Sequence, residues 1–361
     1  MHRRLEQQGA RLIGADFADL ANFAADDHLA ALGTFWVTAS ALAAGVAATR
    51  PTAASNPAFV DFCRKLLLEP RPATQAEARA FFERHFQPFR VEGDGFVTGY
   101  YEPEIAASLV RTPAFAAPVL ARPADLVTFA PGATPAPLDP ALAAARMGAG
   151  GALSPYSERT AIEASYSHTD VLAWLPDHVE VFLAQVQGSA RLRLPDGTTL
   201  RLAYAGRNGQ PYTSIGRLLI ERADIAESEM SLARLKQWLR AAGAEGRALM
   251  QRNRSYVFFK LDPALDPHLG PTGAAGVPLT PLRSIAVDRN IWLYGLPFWL
   301  EADLPSGRLR RLTMAQDTGS AILGPARADI FFGWGDEAGV LAGDVRHRCA
   351  FWVLLPKESA P

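Results

Sequence analysis

A change of texture near residue 90 constrains the fold of this chain more than any other feature. Before it, apolar residues recur at helical spacing through the uncharged run Leu29 to Ala48, then PTAASNPAFVDFCRKLLLEP, then TQAEARAFFERHF, where Thr74 opens a capping pattern completed by Glu77. From Phe96 the texture is aromatic and β-branched, beginning with FVTGYYEPEI. From Ser255 strand-like runs follow one another: SYVFFK, RSIAVD, FWLEADL, RLRRLTMAQD, ADIFFGWG and CAFWVLLP. A chain divided in this way is expected to be mainly β with a helical layer at its N-terminus. The 20 uncharged residues from Leu29 are long enough to cross about 30 Å of hydrocarbon. Their alanine content, the interspersed Thr34, Thr38 and Ser40, and the capping run Asp26-Asp27-His28 predict a core helix instead.

Between the two textures, the Pro-rich passage from Pro113 to Pro140 reads as loop and short edge strands. A β-rich insertion is expected to open near Glu104. Within it VEVFLAQVQGSARLRLPDGTTLRLAYAG reads as a hairpin turning at Pro195-Asp196-Gly197. Two helices follow, TSIGRLLIERADI and SLARLKQWLRAAG, the second capped by Ser231.

A length of 361 residues suggests two domains. With 36 Lys and Arg against 37 Asp and Glu, the net charge of -1 gives no electrostatic case for nucleic acid or an anionic membrane surface as the main partner. The two cysteines, Cys63 and Cys349, are too far apart for any metal-ligand spacing.

The segment RLTMAQDTGSAILGPARADIFFGWGDEAG is the most unusual chemically. Asp317 ends one β-type run and Asp329 re-enters another 12 residues later, with Gly319 and Gly324 permitting tight backbone between them. Two carboxylates on neighbouring strands could converge, and repulsion plus burial would then leave one protonated near neutral pH as a proton donor. The competing reading is that both are turn formers beside glycines. Asp317-Thr318-Gly319 also matches an aspartic-protease signature, but that chemistry needs two copies and only one occurs. His168 and His178, near Asp170 and Asp177, do not present a metal-ligand pattern. No G-x-S-x-G elbow, phosphate loop or G-x-G-x-x-G fingerprint occurs. Acid–base chemistry with no cofactor and no metal is the surviving expectation.

A second group is aromatic and amide-rich: GYYEPE with Gly99, Tyr100 and Tyr101; QVQGSA with Gln187 and Ser189; and YAGRNGQPYTSIG with Tyr204, Asn208 and Gly209. Flat aromatic faces beside neutral hydrogen-bonding groups suit sugar rings. Taken singly, each also has an ordinary structural explanation: one tyrosine of the pair in the core, Asn208-Gly209 a turn.

On these motifs, together with MSLARLKQWLR, SYVFFK and the stretch from GVPLTPLRSIAVD through AQDTGSAILGPARADIFFGWGDEAG, the sequence resembles the membrane-bound lytic murein transglycosylase A family, including its C-terminal 3D domain. The resemblance implies a double-psi β-barrel domain built from residues 1–103 and 251–361, a smaller β-rich substrate-binding domain inserted at 104–250, and a groove between them. It implies cleavage of the β-1,4 bond between N-acetylmuramic acid and N-acetylglucosamine of peptidoglycan, forming 1,6-anhydromuramic acid ends, with Asp329 as acid and then base. Asp317, and with it Asp288, the third aspartate of the 3D set, would support it. A non-catalytic glycan-binding module and an aspartic-type hydrolase are the alternatives. The implied partners are peptidoglycan glycan strands and cell-wall synthesis or remodelling proteins, acting on a monomer. A periplasmic, outer-membrane-associated location is likewise implied by the resemblance alone, since the opening MHRRLEQQGARLIG shows neither a signal-peptide core nor a lipid-attachment cysteine.

Overall fold

The computed structural model describes residues 4–53, 56–262, 266, 268–304 and 307–357. It divides into two compact units, one comprising residues 1–100, 272–333 and 341–361, the other residues 101–271 and 334–340.

The first unit begins with the helical layer. Helix α1, His28–Ala43, starts where the Asp27 carboxylate accepts from the Ala30 amide at 3.0 Å. Helix α2, Pro57–Leu66, is capped by Asn56 with a proline in its first turn, where a missing N–H costs nothing. Helix α3, Gln75–His85, carries the Thr74/Glu77 capping box expected from the sequence. Phe35 of α1 is fully buried, with Phe81, Phe82 and Phe86 at ring-centroid distances of 5.9, 6.1 and 5.6 Å. Truncating such a ring to alanine costs about 3–5 kcal/mol, so this cluster fixes the helices to the sheet. The uncharged run is thus a core helix, and no described helix is long and apolar enough to cross a membrane.

The sheet has ten strands: β1 Arg4–Gln7, β2 Ala10–Gly14, β3 Phe86–Val91, β4 Phe96–Glu102, β5 Ser284–Val287, β6 Pro297–Leu304, β7 Gly307–Asp317, β8 Arg327–Trp334, β9 Arg346–Arg348 and β10 Ala350–Pro356. Their spatial order is β1-β2-β3-β10-β6-β7-β5-β8-β4-β9. This is an open order, with no closed barrel among the described residues. The C-terminal strand runs all form, but β5 lies between β7 and β8, parallel to the first and antiparallel to the second. Buried Gln316 fastens β7 to α1, donating to the Thr38 hydroxyl at 2.6 Å and to the Thr34 carbonyl at 3.1 Å. Nearby, Arg283 and Asp26 form an almost fully buried ion pair at 2.7 Å. Cys63 and Cys349 are both buried, free thiols.

The second unit holds a four-stranded sheet in the order 257–262, 199–207, 190–193, 104–106. The strands 190–193 and 199–207 are the expected hairpin, turning at Gly197 with φ of 86°. The residues before them differ from expectation. His178–Gln187 is a helix, capped by Asp177 and ended by Gly188 in the left-handed region. Val179 and all residues from Val181 to Gln185 are buried, so its apolar residues have no single face to reveal a helical period. Helices also occur at Arg159–Ser165, Ile215–Glu221, Leu232–Ala241 and Ala244–Gln251, the third capped by Ser231. The fold is therefore one of mixed sheets with helices in both units. Glu102 is wholly buried and accepts from Arg191 at 2.9 Å and Arg201 at 2.7 Å; both arginines also donate to the Leu269 carbonyl. Arg191 lies 4.0 Å from the Trp334 ring centroid.

Candidate active site

Asp329 is the third residue of β8, where the pleat directs Arg327 and Asp329, two residues apart, to one face. On neighbouring β4 the same alternation brings Phe96 and Thr98 to one face. The Thr98 hydroxyl donates to Asp329 Oδ1 at 2.6 Å and accepts from Arg327 Nη2 at 2.7 Å. Arg327 lies 5.5 Å from the Phe96 ring centroid and also donates to the Ala328 carbonyl. Asp329 retains some exposed surface, yet protein crowds its carboxyl closely enough that loss of hydration pushes its pKa from 3.8 up to about 6. The Arg327 charge and the Thr98 hydrogen bond pull the other way, and the Asp317 charge adds a smaller upward push.

Asp317 ends β7. Asp317 and Asp329 are not on adjacent strands, because β5 separates them. Ala286 pairs with Asp317 on one side and Asp329 on the other, so the three residues form one row across the sheet. Two strand spacings of about 4.8 Å place the carboxylates on the same face but too far apart to share a proton directly. Asp317 Oδ2 accepts from the Tyr100 hydroxyl at 2.9 Å; Oδ1 accepts from the amides of Ala274 and Thr318 at 2.9 and 2.8 Å, with Arg50 at 3.5 Å. Burial raises the Tyr100 pKa well above its usual value, and the Asp317 charge raises it further, so its hydroxyl keeps the proton it donates.

Asp288 has a different occupation. Its Oδ1 accepts from the backbone and side-chain nitrogens of Asn290, and its Oδ2 accepts from the Gly324 amide at 2.8 Å. It braces the loop joining β7 to β8. Gly99 is required by packing: a Cβ there would lie 2.7 Å from the Ala342 carbonyl oxygen.

The second unit contains the remaining sugar-site candidates. The Tyr101 amide donates to Gln187 Oε1 at 3.1 Å, and the Tyr101 side chain is buried. Ser189 is buried two residues beyond the end of the 178–187 helix, and Tyr204 is half-buried on the 199–207 strand. Asn208 is wholly buried: its amide nitrogen donates to the carbonyls of Ser157 and Arg254, and its oxygen accepts from the Tyr256 amide at 2.9 Å. Gly209, with φ of 78°, passes against Ala144, whose nitrogen would lie 2.3 Å from an added Cβ. These last two hold backbone together. Among the described residues, no three His, Cys, Asp or Glu side chains cluster as metal ligands.

A family model described as the MltA specific insert domain matches residues 96–260, and one described as the 3D domain matches residues 283–355. The chain is 35% identical to a membrane-bound lytic murein transglycosylase of known structure from Agrobacterium tumefaciens, with a TM-score of 0.85, covering 95% of this chain and 97% of that one. The chain belongs to the membrane-bound lytic murein transglycosylase A family. A curated relative of that name from Vibrio cholerae is 36% identical over 192 residues, 51% of each chain, so this chain spans about half the length of the curated relatives it matches. The Escherichia coli MltA structure with bound chitohexaose is 26% identical, with a TM-score of 0.64, covering 99% of this chain and 95% of that one.

Within this transglycosylase-family framework, three polar residues at the aspartates escaped the sequence reading: Thr98, Arg327 and Arg50. A signal existed for the first two. Arg327 stands two residues before Asp329, and Thr98 two before Tyr100, the spacing that puts side chains on one face of a strand. Arg50 carries no local signal, since it reaches Asp317 across 267 residues of sequence.

Proposed function

We propose that the chain is a lytic transglycosylase that cleaves the β-1,4 bond between N-acetylmuramic acid and N-acetylglucosamine in peptidoglycan and leaves 1,6-anhydromuramic acid ends. The observation that carries this reading is the Asp329 carboxyl within the 3D-domain match, held by the Thr98 hydroxyl that Arg327 orients and raised by desolvation to about 6, so that it is partly protonated near neutral pH. The protonated carboxyl gives its proton to the glycosidic oxygen as the bond to C1 breaks through an oxocarbenium-like transition state. The resulting carboxylate then takes the proton of the muramoyl C6 hydroxyl as that oxygen bonds to C1. Because the nucleophile belongs to the substrate, no second carboxylate is needed to activate water or attack C1. Asp317, surrounded by donors, supplies a negative charge that favours protonated Asp329 and the developing cation.

Family membership and the chitohexaose held by the E. coli relative support a glycan strand as substrate. Gly99, Tyr100, Tyr101, Gln187, Ser189, Tyr204, Asn208 and Gly209 form the proposed sugar site, Asn208 and Gly209 by holding its backbone in place. The double-psi barrel, the insertion at 104–250, a monomeric state, cell-wall protein partners and a periplasmic, outer-membrane location belong to the same reading, the last in keeping with relatives named membrane-bound. Mass spectrometry of digested murein sacculi tests the reaction. Products one water lighter than hydrolysed muropeptides support transglycosylation, products with water added indicate a hydrolase, and no products with retained binding indicate a glycan-binding module.

A further inference from the structure

We propose that Thr98 and Arg327 are positioning residues that hold Asp329 Oδ1 as a permanent hydrogen-bond acceptor, so that the proton transferred to the substrate resides on Oδ2. The inference rests on Asp329 being the acid of the proposed reaction. Its geometry is a one-way chain. A guanidinium has only donors, so the bond from Arg327 Nη2 to Thr98 Oγ1 at 2.7 Å can run in one direction only. It uses a lone pair of the hydroxyl. The single proton of that hydroxyl then has one acceptor among its hydrogen bonds, Asp329 Oδ1 at 2.6 Å. A carboxylic acid whose Oδ1 is occupied by an incoming O–H carries its own proton on the other oxygen. Arg327 is kept in register by the Phe96 ring and the Ala328 carbonyl, so the donor at the head of the chain does not depend on substrate.

The charged and titratable groups bearing on Asp329 are Arg327 on its own strand, Asp317 at the end of β7, and the Tyr100 hydroxyl on β4, with Thr98 as the neutral intermediary. Donors toward Oδ1 stabilise the carboxylate, so the pair serves the second half of the cycle as well as orienting the proton for the first. Without the hydroxyl, the acid would divide its proton between two oxygens, only one of which serves transfer.

The test compares Thr98→Val, nearly the same in shape, with Thr98→Ser, which restores the hydroxyl, and with Arg327→Met, which keeps the stem and removes the donor. Two readouts are taken: the titration of the Asp329 carboxyl followed by carbon-13 NMR without substrate, and kcat and KM on purified glycan strands. In Thr98→Val and Arg327→Met the Asp329 midpoint is expected to rise by about one pH unit, the consequence of losing a hydrogen bond or charge that favours the carboxylate. The kcat is expected to fall about tenfold with KM within about twofold of the parent, the pattern of an interaction made in the transition state. Thr98→Ser is expected to restore both. An unmoved Asp329 midpoint in folded Thr98→Val and Arg327→Met overturns the inference, as does a serine variant that behaves like valine. If Thr98→Val does not fold, the serine and methionine variants decide it. If the midpoints move as expected while the parent makes no anhydro products, the proposed reaction fails and the positioning of the proton stands.

Discussion

Replacing Asp329 by asparagine separates the cost of the site from its use. A carboxyl whose pKa rises from 3.8 to about 6 on folding binds protons more readily in the folded chain than in the unfolded one. The contribution of this group to stability is therefore greatest below pH 3.8 and is lost as pH rises toward 6, after which the loss is complete. At about 1.4 kcal/mol per pH unit the penalty approaches about 3 kcal/mol at neutral pH, a ceiling because part of the side chain still meets water. Asparagine has no charge to desolvate and keeps an oxygen to accept from Thr98. The variant is expected to gain on the parent between pH 4 and pH 7, by up to about 6–12 °C in Tm for a unit of this size, and then to hold its margin at higher pH. Differential scanning calorimetry at four pH values measures the pH-dependent part of the difference, which fixed differences in amide packing do not alter. Muropeptide release by the same variant is expected below about one per cent of the parent, since an amide cannot cycle a proton. A Tm difference independent of pH would refute the raised Asp329 pKa, and undiminished turnover would remove Asp329 from the reaction.

Asp317→Asn removes a charge that holds the Asp329 pKa up, so the descending limb of the kcat/KM profile near pH 6 is expected to move to lower pH; an unmoved or raised limb would show that the row through Ala286 carries no electrostatic communication. Glu102→Gln leaves Arg191 and Arg201 buried without their counter-charge, and urea unfolding is expected to show about 3–5 kcal/mol lost, with a loss below about 1 kcal/mol arguing against the ion pairs as a structural centre. Gly99→Ala drives a methyl into the backbone of Ala342, for an expected loss of about 1–3 kcal/mol in the same assay, together with reduced activity because its neighbours are Thr98 and Tyr100.

Local chemistry was legible in the sequence. Asp27, Thr74 and Ser231 all cap helices because a short side-chain oxygen beside an apolar run does so with no help from the rest of the fold. The C-terminal strands were legible from their β-branched and aromatic residues. The helix at His178–Gln187 was not, because its buried residues, Val179 and Val181 to Gln185, spread around the helix and its exposed Val186 is apolar, which blurs the polar face that a period requires, although Asp177 and Gly188 marked its ends. Asp317 and Asp329 stood out through their glycine neighbours, but spacing along the chain could not disclose that β5 comes between them. Strand order is a property of distant pairing, and Ala286 has nothing in its own sequence to announce it. For the same reason Asn208-Gly209 resembled both a ligand contact and a turn until the backbone partners of the asparagine were known.

The hydrogen bond from Thr98 to Asp329 spans 231 positions of sequence, most of them in the stretch of about 170 residues from Tyr101 to Pro271. The entropy of closing so long a loop grows only as the logarithm of its length, so doubling that stretch would add about 0.6 kcal/mol. Its length is thus nearly free to vary, whereas a fragment confined to residues 283–355 would leave Asp329 and Asp317 without Thr98, Tyr100 and Arg50 together. The pairing of β4 with β8 makes the proposed acid a reporter of complete chain assembly: any intermediate in which the two halves of the first unit have not met carries the aspartates without the donors that give them their distinct environments.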